Sequence, residues 1–494
     1  MPAGNDPVRV SPGLSREQIS KNSTLMRFLS LRLLVLLGIV WVQHGDAPPL
    51  VFELDVGQAK EIRVPGPGGE VRRVVRLLQV EESRWPNWHL AEAPGHAVLR
   101  AAEVQVEVGG TRATLWARPF EPPRLVDGLR LYVESTHTWA TTSQLDPLVG
   151  MTQHVRMSCV AEGMPWGPPE LRFPIARFRW QANTYGNTWG ALVPYNKLYY
   201  HRGEDFGAIP DELEVVASLG GTVIQSPLPD GDGDSNHLRI RHAAGLECAY
   251  YHMNLETIPS GLTEGVVVGA GQRLGRTGMT WDGRRSQVND PHLHWGVFRD
   301  GQPLASYPFV LEAYLRDYPD SVLAVAGGYH YAMPGEPVEL DASRSVARPG
   351  RRIVRHRWLL HDGREVEAAQ AVVRADRPGL YCEELRVWAD DGSEDRDYVQ
   401  LRVWDRERGG RMGGGWLYHS PVRGGRPGKP VRFWNRLWGT TAPVTLEFGD
   451  GSPATQVEAE TTHVYATPGR YTARLSSLGP DREPLEVRMQ VVIE

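Results

Sequence analysis

Two short stretches of this chain concentrate side chains that bind metals and move protons. His201-Arg202-Gly203-Glu204-Asp205 sets an imidazole and a carboxylate four positions apart, and Pro291-His292-Leu293-His294-Trp295 sets two imidazoles two apart. On an extended strand, positions two or four apart share a face. His292 and His294 would then face a cleft while Leu293 and Trp295 face the core. Nitrogen and oxygen donors that converge in this way suit Zn2+, which in catalytic sites takes three protein ligands and leaves a fourth position open. Neither pair decides the matter alone. The chain has 16 histidines, and a strand can carry His-x-His for no chemical reason. The helix-borne pattern His-Glu-x-x-His is absent from the sequence.

The motifs between the two stretches join them. After His201 come Val215 to Val223, then His237 to His242, then Cys248-Ala249-Tyr250-Tyr251-His252-Met253. Gly271-Gln272-Arg273-Leu274-Gly275 follows, and Pro291-His292-Leu293-His294 ends the series. In this order they resemble the lysostaphin/LytM-type metallopeptidases. That family's pattern is His-x-Gly-x-Asp, a Tyr-x-His-Leu-like strand, a Gly-Gln-x-hydrophobic-Gly turn, and His-Leu-His. The resemblance runs the length of the catalytic domain. It implies a zinc metallo-endopeptidase in which His201, Asp205 and His294 hold Zn2+. It also implies that His252 and His292 are catalytic histidines that do not bind the metal. Zinc held there would acidify a water and polarise the scissile carbonyl. A neutral imidazole can take the water's proton, and an imidazolium can steady the oxyanion or protonate the leaving amine. His292 is favoured as the base and His252 as the oxyanion group, with an exchange of roles left open. Glu204 should point away from Asp205, to the opposite face, and His242 reads as structural. Trp281 to Asp290, with Asp282, Arg284, Arg285 and Asp290, forms an insert that should border the cleft and bear on substrate preference. Asp230-Gly231-Asp232-Gly233-Asp234 could bind calcium, but it lacks the distal Glu of an EF-hand and reads better as a solvated turn.

Sheets must position these groups. With 53 Gly and 38 Pro in 494 residues, turns are frequent and strands should be short. Residues 48–178 alternate apolar and polar positions, as in Glu103-Val104-Gln105-Val106-Glu107-Val108, which predicts an antiparallel β-rich region. Residues 179–318 hold the peptidase-like motifs, with a helix expected only around Pro308 to Tyr318. Two later segments share one pattern. The first runs Pro337-Val338-Glu339-Leu340, Trp358, Asp362-Gly363 and Pro378-Gly379-Leu380-Tyr381. The second runs Pro430-Val431-Arg432-Phe433, Gly449-Asp450-Gly451 and Pro468-Gly469-Arg470-Tyr471. Both resemble PKD domains, which are small immunoglobulin-like β-sandwiches of extracellular proteins. They are expected over 319–405 and 417–494, with an Arg- and Gly-rich linker at 406–416. The fold class is therefore mainly β. The resemblance implies the antiparallel duplicated hybrid motif of LytM-type peptidases for the catalytic domain, beside PKD-like sandwiches and the N-terminal β-rich region.

Composition limits the remaining possibilities. Hydrophobic residues make up 41% and charged residues 23%, as in a soluble globular protein. The net charge of −5 shows no basic surplus, so a nucleic-acid partner is not expected. Arg27 and Arg32 precede the apolar run 33–42, which reads as a signal peptide within a leader of 1–47. The run is too short to span a bilayer easily, so membrane contact is expected only through that segment if it stays uncleaved. Translation from Met26 would suit such a leader as well as translation from Met1. An exported protein is expected, whether periplasmic, cell-surface or extracellular. Its substrate is expected to be peptidoglycan or another peptide, with a surface polymer as a further partner of the PKD-like domains. A non-catalytic binding or regulatory protein on the same fold is the alternative, and lost metal ligands would be its signature. The three cysteines, Cys159, Cys248 and Cys382, have no metal-type spacing and read as small buried hydrophobes.

Overall fold

A computed structural model describes residues 49–86, 97–142, 151–181, 186–194, 198–243, 245–286, 290–404 and 413–494. The leader 1–47, its apolar run 33–42 and most of the stretch 406–416 lie outside them. The chain is mainly β, with 50% strand and 5% helix, so sheet register rather than helix packing must place the chemistry. Among the described residues, no helix is long and apolar enough to cross a membrane.

The N-terminal region forms two antiparallel four-stranded sheets. Alternation does the work: along Ala97–Val108, Val104, Val106 and Val108 are buried while Glu103, Gln105 and Glu107 are half-buried. Both sheets feed one apolar cluster, which also takes in Leu192 and Tyr200 from the next domain.

Packing of the central domain takes in residues on both sides of position 179. Ile175 bridges Val215, and Phe173 and Phe178 join Trp180, Phe206 and Tyr314 in a cluster of rings with centroids 4.9–5.9 Å apart. These aromatics, distributed over about 140 positions of sequence, bury one another, so residues 173–178 pack with the central sheet as well. At the domain's centre is a seven-stranded sheet. Its strands run in the order Glu204–Gly207, His292–Arg299, Leu246–Tyr251, Leu238–Arg241, Gly221–Gln225, Val267–Val268, with Gln302–Leu304 beside His292–Arg299. The helix Tyr307–Asp317 has Pro308 in its first turn, where a missing N–H costs nothing, and buries Phe309, Val310 and Tyr314.

The two C-terminal sandwiches repeat a local device. Tyr381 Oη donates to Arg377 O at 2.9 Å, and Tyr471 Oη donates to Thr467 O at 2.8 Å. Each pins the Pro-Gly turn that leads into a long strand. Gly363, at φ 86°, turns the hairpin between Ile353–Leu359 and Glu365–Val366. The sandwiches are not independent. A nine-stranded sheet runs through both, joined where Leu380 pairs in parallel with Leu485. The described end of the expected linker, Gly413–Trp416, is built into the second sandwich. Gly414 exchanges backbone hydrogen bonds with Trp438 at 3.2 and 2.8 Å. All three cysteines are free and buried, and burial pushes the Cys159 and Cys248 thiols up to about 12, which makes them inert.

Candidate metal centre

The strand His292–Arg299 lies between Glu204–Gly207 and Leu246–Tyr251. Register sets Asp205 opposite His294, Gly207 opposite His292, and Tyr251 opposite His294 from the other side. Directly opposed residues share a face, so pairing alone brings the Asp205 carboxylate to the His294 ring. Leu293 and Trp295 point the other way and are fully buried.

His201 arrives from another ladder. It follows the strand Leu198–Tyr200 and is held by His201 N to Ala191 O and Gly190 N to His201 O, both 2.8 Å. The expectation that His201 and Asp205 share one extended strand is therefore corrected. The chain breaks at Gly203, whose φ is 147°. A Cβ at that position would stand 2.6 Å from both Cε1 and Nε2 of His294. Glycine both permits the bend and clears space for the ring.

The bend brings three lone-pair atoms together. His201 Nε2 lies 3.1 Å from Asp205 Oδ1 and 3.0 Å from His294 Nδ1, and His294 Nδ1 lies 2.8 Å from Asp205 Oδ1. His201 and Asp205 are buried, while the His294 side chain is 19% exposed and marks the open side. Ligands at 2.0–2.1 Å from a tetrahedral zinc are about 3.3 Å apart, so the trio fits that ion after an opening of a few tenths of an ångström. The donor chemistry also fits, because two imidazole nitrogens and one carboxylate oxygen are donors that zinc takes. Asn187 completes the carboxylate's surroundings: its Nδ2 donates to Asp205 Oδ2 at 2.8 Å and leaves Oδ1 for the trio.

Burial would raise the Asp205 pKa, but the His201 and His292 imidazoles outweigh it and hold the carboxyl well below its usual range. Burial would lower His201, and Asp205 reverses that and raises it. Glu204 faces the core, where Ser306 Oγ (2.7 Å) and Trp189 N (3.2 Å) donate to Oε1; burial pushes its carboxyl up to about 8.

His252 and His292 stand beside the trio with ring centroids 4.5 Å apart. Each donates Nδ1–H to a carbonyl at 2.9 Å, His252 to Thr280 O and His292 to Asp290 O. The neutral ring then carries its lone pair on Nε2. His292 Nε2 is 3.5 Å from Asp205 Oδ1. Burial, followed by the neighbouring imidazoles, holds His252 well below the ordinary histidine value. Burial also lowers His292, although Asp205 opposes it. His252 has φ 68°, a strained value for a non-glycine residue. It is kept there by its N–H to Ser235 O and by Thr280 N to its own carbonyl, at 2.6 and 3.1 Å. Gly278 lies so close under it that any Cβ would meet His252 O. From the insert, Trp281 stacks on the His252 ring at 4.1 Å.

The structure thus brings together all five residues singled out from the sequence. His242 lies outside the group, with Nδ1 on Gly220 O at 2.7 Å. The acidic turn folds on itself, Asp232 accepting from the backbone N–H groups of Asp234, Asn236 and His237. Sequence reading missed Asn187, the Thr280 carbonyl and Asp290 as the partner of His292. Asn187 stood in a Gly-rich approach that carries no motif for such a role.

Comparison with known proteins agrees with this geometry. Residues 199–306 match the model of Peptidase family M23, and residues 417–478 match that of the PKD domain. The chain carries a peptidase domain of LytM type and a PKD domain. No curated protein matches the sequence. Among solved structures, a protein of Ruminococcus gnavus named a candidate glycyl-glycine endopeptidase, lytM, is 20% identical, with a TM-score of 0.21. The match covers 29% of this chain and 61% of that one, so the chain spans less than two thirds of this neighbour's length. Fibronectin(III)-like modules of Clostridium thermocellum CbhA match at 9% identity and a TM-score of 0.14, over 35% of this chain and 94% of that one. A Bacteroides ovatus protein, SGBP-B of a mixed-linkage glucan utilization locus, matches at 14% and 0.17, over 36% and 45%. At such scores these three carry no argument.

Proposed function

We propose that the chain is a zinc-dependent endopeptidase, exported from the cytoplasm, that hydrolyses peptide bonds in peptidoglycan stems or cross-bridges. One observation carries the reading. His201 Nε2, Asp205 Oδ1 and His294 Nδ1 converge within 3.1 Å beside two imidazoles already aimed by carbonyls. Zn2+ held by the three would supply Lewis-acid polarisation of the scissile carbonyl and an acidified water. Both flanking rings begin neutral, with the lone pair on Nε2. His292 Nε2 takes the proton of the attacking water, and the Asp205 carboxylate 3.5 Å away steadies the imidazolium. Water oxygen bonds to the carbonyl carbon, the C–N bond breaks, and the leaving amine receives the proton back from His292. We assign His252 to the developing oxyanion: as the negative charge grows beside it, its Nε2 takes up a proton from solvent and donates to the oxygen, and the proton returns to solvent when the charge is lost. The peptidoglycan substrate is supported by the LytM-type motif set, and export by the PKD domain and the run 33–42 behind Arg27 and Arg32.

Zymography on purified cell-wall material tests this, run with and without chelator beside His294→Ala. Clearing by the wild type, abolished by both changes and restored by added zinc, is expected. Clearing that ignores both ends the zinc mechanism. Hydrolysis of protein substrates alone would keep the chemistry and replace the substrate.

A further inference from the structure

The second sandwich reaches the catalytic centre. Trp416 Nε1 donates to Asp290 Oδ2 at 2.7 Å, and Arg436 Nε pairs with Asp290 Oδ1 at 3.6 Å. Trp416 and Arg436 also exchange backbone hydrogen bonds at 3.4 and 3.1 Å, so neither moves alone. Asp290 is 7% exposed, and burial pushes its carboxyl up to about 6. The carbonyl of this same residue accepts His292 Nδ1–H at 2.9 Å. Only Pro291 separates the two, and its ring fixes one backbone dihedral. The path from the sandwich to the His292 ring is thus short and stiff: indole and guanidinium, carboxylate, carbonyl, imidazole.

The surrounding contact is extensive. Trp416 and Tyr418 bury Ile209, close behind the strand that carries Asp205. Arg432 pairs with Glu212, Ser420 Oγ donates to Glu212 Oε2 at 3.0 Å, and Arg423 pairs with Asp320. A tethered adaptor domain would need none of these, least of all a buried donor aimed at the residue that holds a catalytic ring.

We propose that Trp416 and Arg436 are positioning residues of the peptidase centre: by fixing Asp290 they set the tautomer and the aim of His292, so that the catalytic site is shared between two domains. The proposal rests on the reading of His292 as the proton acceptor. In its consequence, the sandwich cannot be released from the cleft without loss of turnover, while the metal trio stays intact.

The test uses the full chain with Trp416→Phe, Arg436→Met, the double variant, Asp290→Asn and the conservative Arg436→Lys. Arg432→Gln loosens the same interface without touching Asp290 and serves as the control. The first readout needs no metal: imidazole 15N NMR of the metal-free, [15N]histidine-labelled protein, with His292 assigned by comparison with His292→Ala. His292 should be fixed as the Nδ1–H tautomer in the wild type, Arg436→Lys and Arg432→Gln. It should become a mixture in the double variant and in Asp290→Asn. The second readout is steady-state hydrolysis of purified muropeptides by zinc-loaded protein. A fall in kcat of about 10–100-fold is expected for the double variant, with KM within about twofold and zinc content unchanged. A pure Nδ1–H tautomer in both the double variant and Asp290→Asn overturns the proposal, and so does an equal fall in Arg432→Gln. Wild-type protein that hydrolyses no muropeptide would count against the proposed function, while the tautomer measurement still decides the positioning role. Asp290→Asn keeps the side chain's shape and an acceptor for Trp416, so it alone decides the positioning role if the double variant does not fold.

Discussion

The N-terminal β region and the second C-terminal sandwich both press on the catalytic domain, but they hold different halves of the site by different means. The N-terminal region supports the metal trio from behind. Trp139 meets the Tyr200 ring edge-on at 5.2 Å, Leu99 N donates to Tyr200 Oη at 2.9 Å, and Trp189 Nε1 donates to Glu134 O at 2.7 Å. Tyr200 is the residue before His201. The sandwich meets the side proposed to move the proton, through a buried polar relay that ends on His292. A ligand must be kept in place against the pull of an ion, and burial of its neighbour Tyr200, backed by hydrogen bonds to the flanking backbone, does that without touching the ligand ring itself. A base must present one nitrogen in one tautomer, and only a directional hydrogen bond can specify that.

If this division is right, damage on the two sides should differ in kind. Trp139→Ala empties a buried aromatic site and should cost about 3–5 kcal/mol of stability by calorimetry. Each zinc-loaded molecule should still turn over at the wild-type rate, and a matching fall in turnover per zinc would erase the distinction. Gly203→Ala drives a methyl into the His294 ring and forces a glycine-type backbone angle. It should cost about 2–3 kcal/mol and strip the zinc on dialysis, whereas retained metal would show that the clearance under His294 does not matter.

Acid should separate the regions next. His330 in the first sandwich and His419 in the second are buried, and burial holds both at about 3. A histidine with a depressed folded value contributes stability that is present above about pH 6.5 and is lost as pH falls toward 3. At pH 5 the loss is about 2 kcal/mol for each. The described N-terminal histidines, His137 and His154, are exposed. Hydrogen exchange should therefore open the C-terminal half before the N-terminal sheets as pH drops from about 7 to about 4.5, and simultaneous opening would contradict the assignment. Asn187→Ala frees Asp205 Oδ2 and should weaken zinc binding about 10–100-fold while the kcat of saturated enzyme stays near wild type. Calorimetric titration with zinc checks the first part, and a selective fall in kcat would move Asn187 to the other half of the comparison.

Much of this was legible where the chemistry is local. Alternation turned Leu293 and Trp295 inward and Glu204 away from Asp205, and the two histidine stretches stood out by composition alone. The turn glycines and the Pro-Gly-x-Tyr segment at 468–471 announced the PKD domain that is matched over 417–478. What escaped depends on contacts between residues far apart in sequence. Trp416 and Asp290 are 126 positions apart, and nothing near either tells an indole donor from an ordinary buried tryptophan. Asn187 reaches Asp205 over 18 positions that include the paired strands Leu192–Pro194 and Leu198–Tyr200, a path the residue types do not dictate. The Leu380–Leu485 pairing that fuses the sandwiches into one sheet has no local signal either, because unpaired strand edges look alike in any sequence. The break at Gly203 was hidden for a different reason: positions four apart converge on a strand, and here they converge across a bend.

The central claim is that three side chains from two ladders share one zinc ion. Metal analysis of purified full-length wild type and His294→Ala, both equilibrated with zinc and dialysed, tests it most directly. One zinc per wild-type chain and none in the variant is the predicted result. Zinc that fails to stay on the wild type, or that stays equally on His294→Ala, would contradict it.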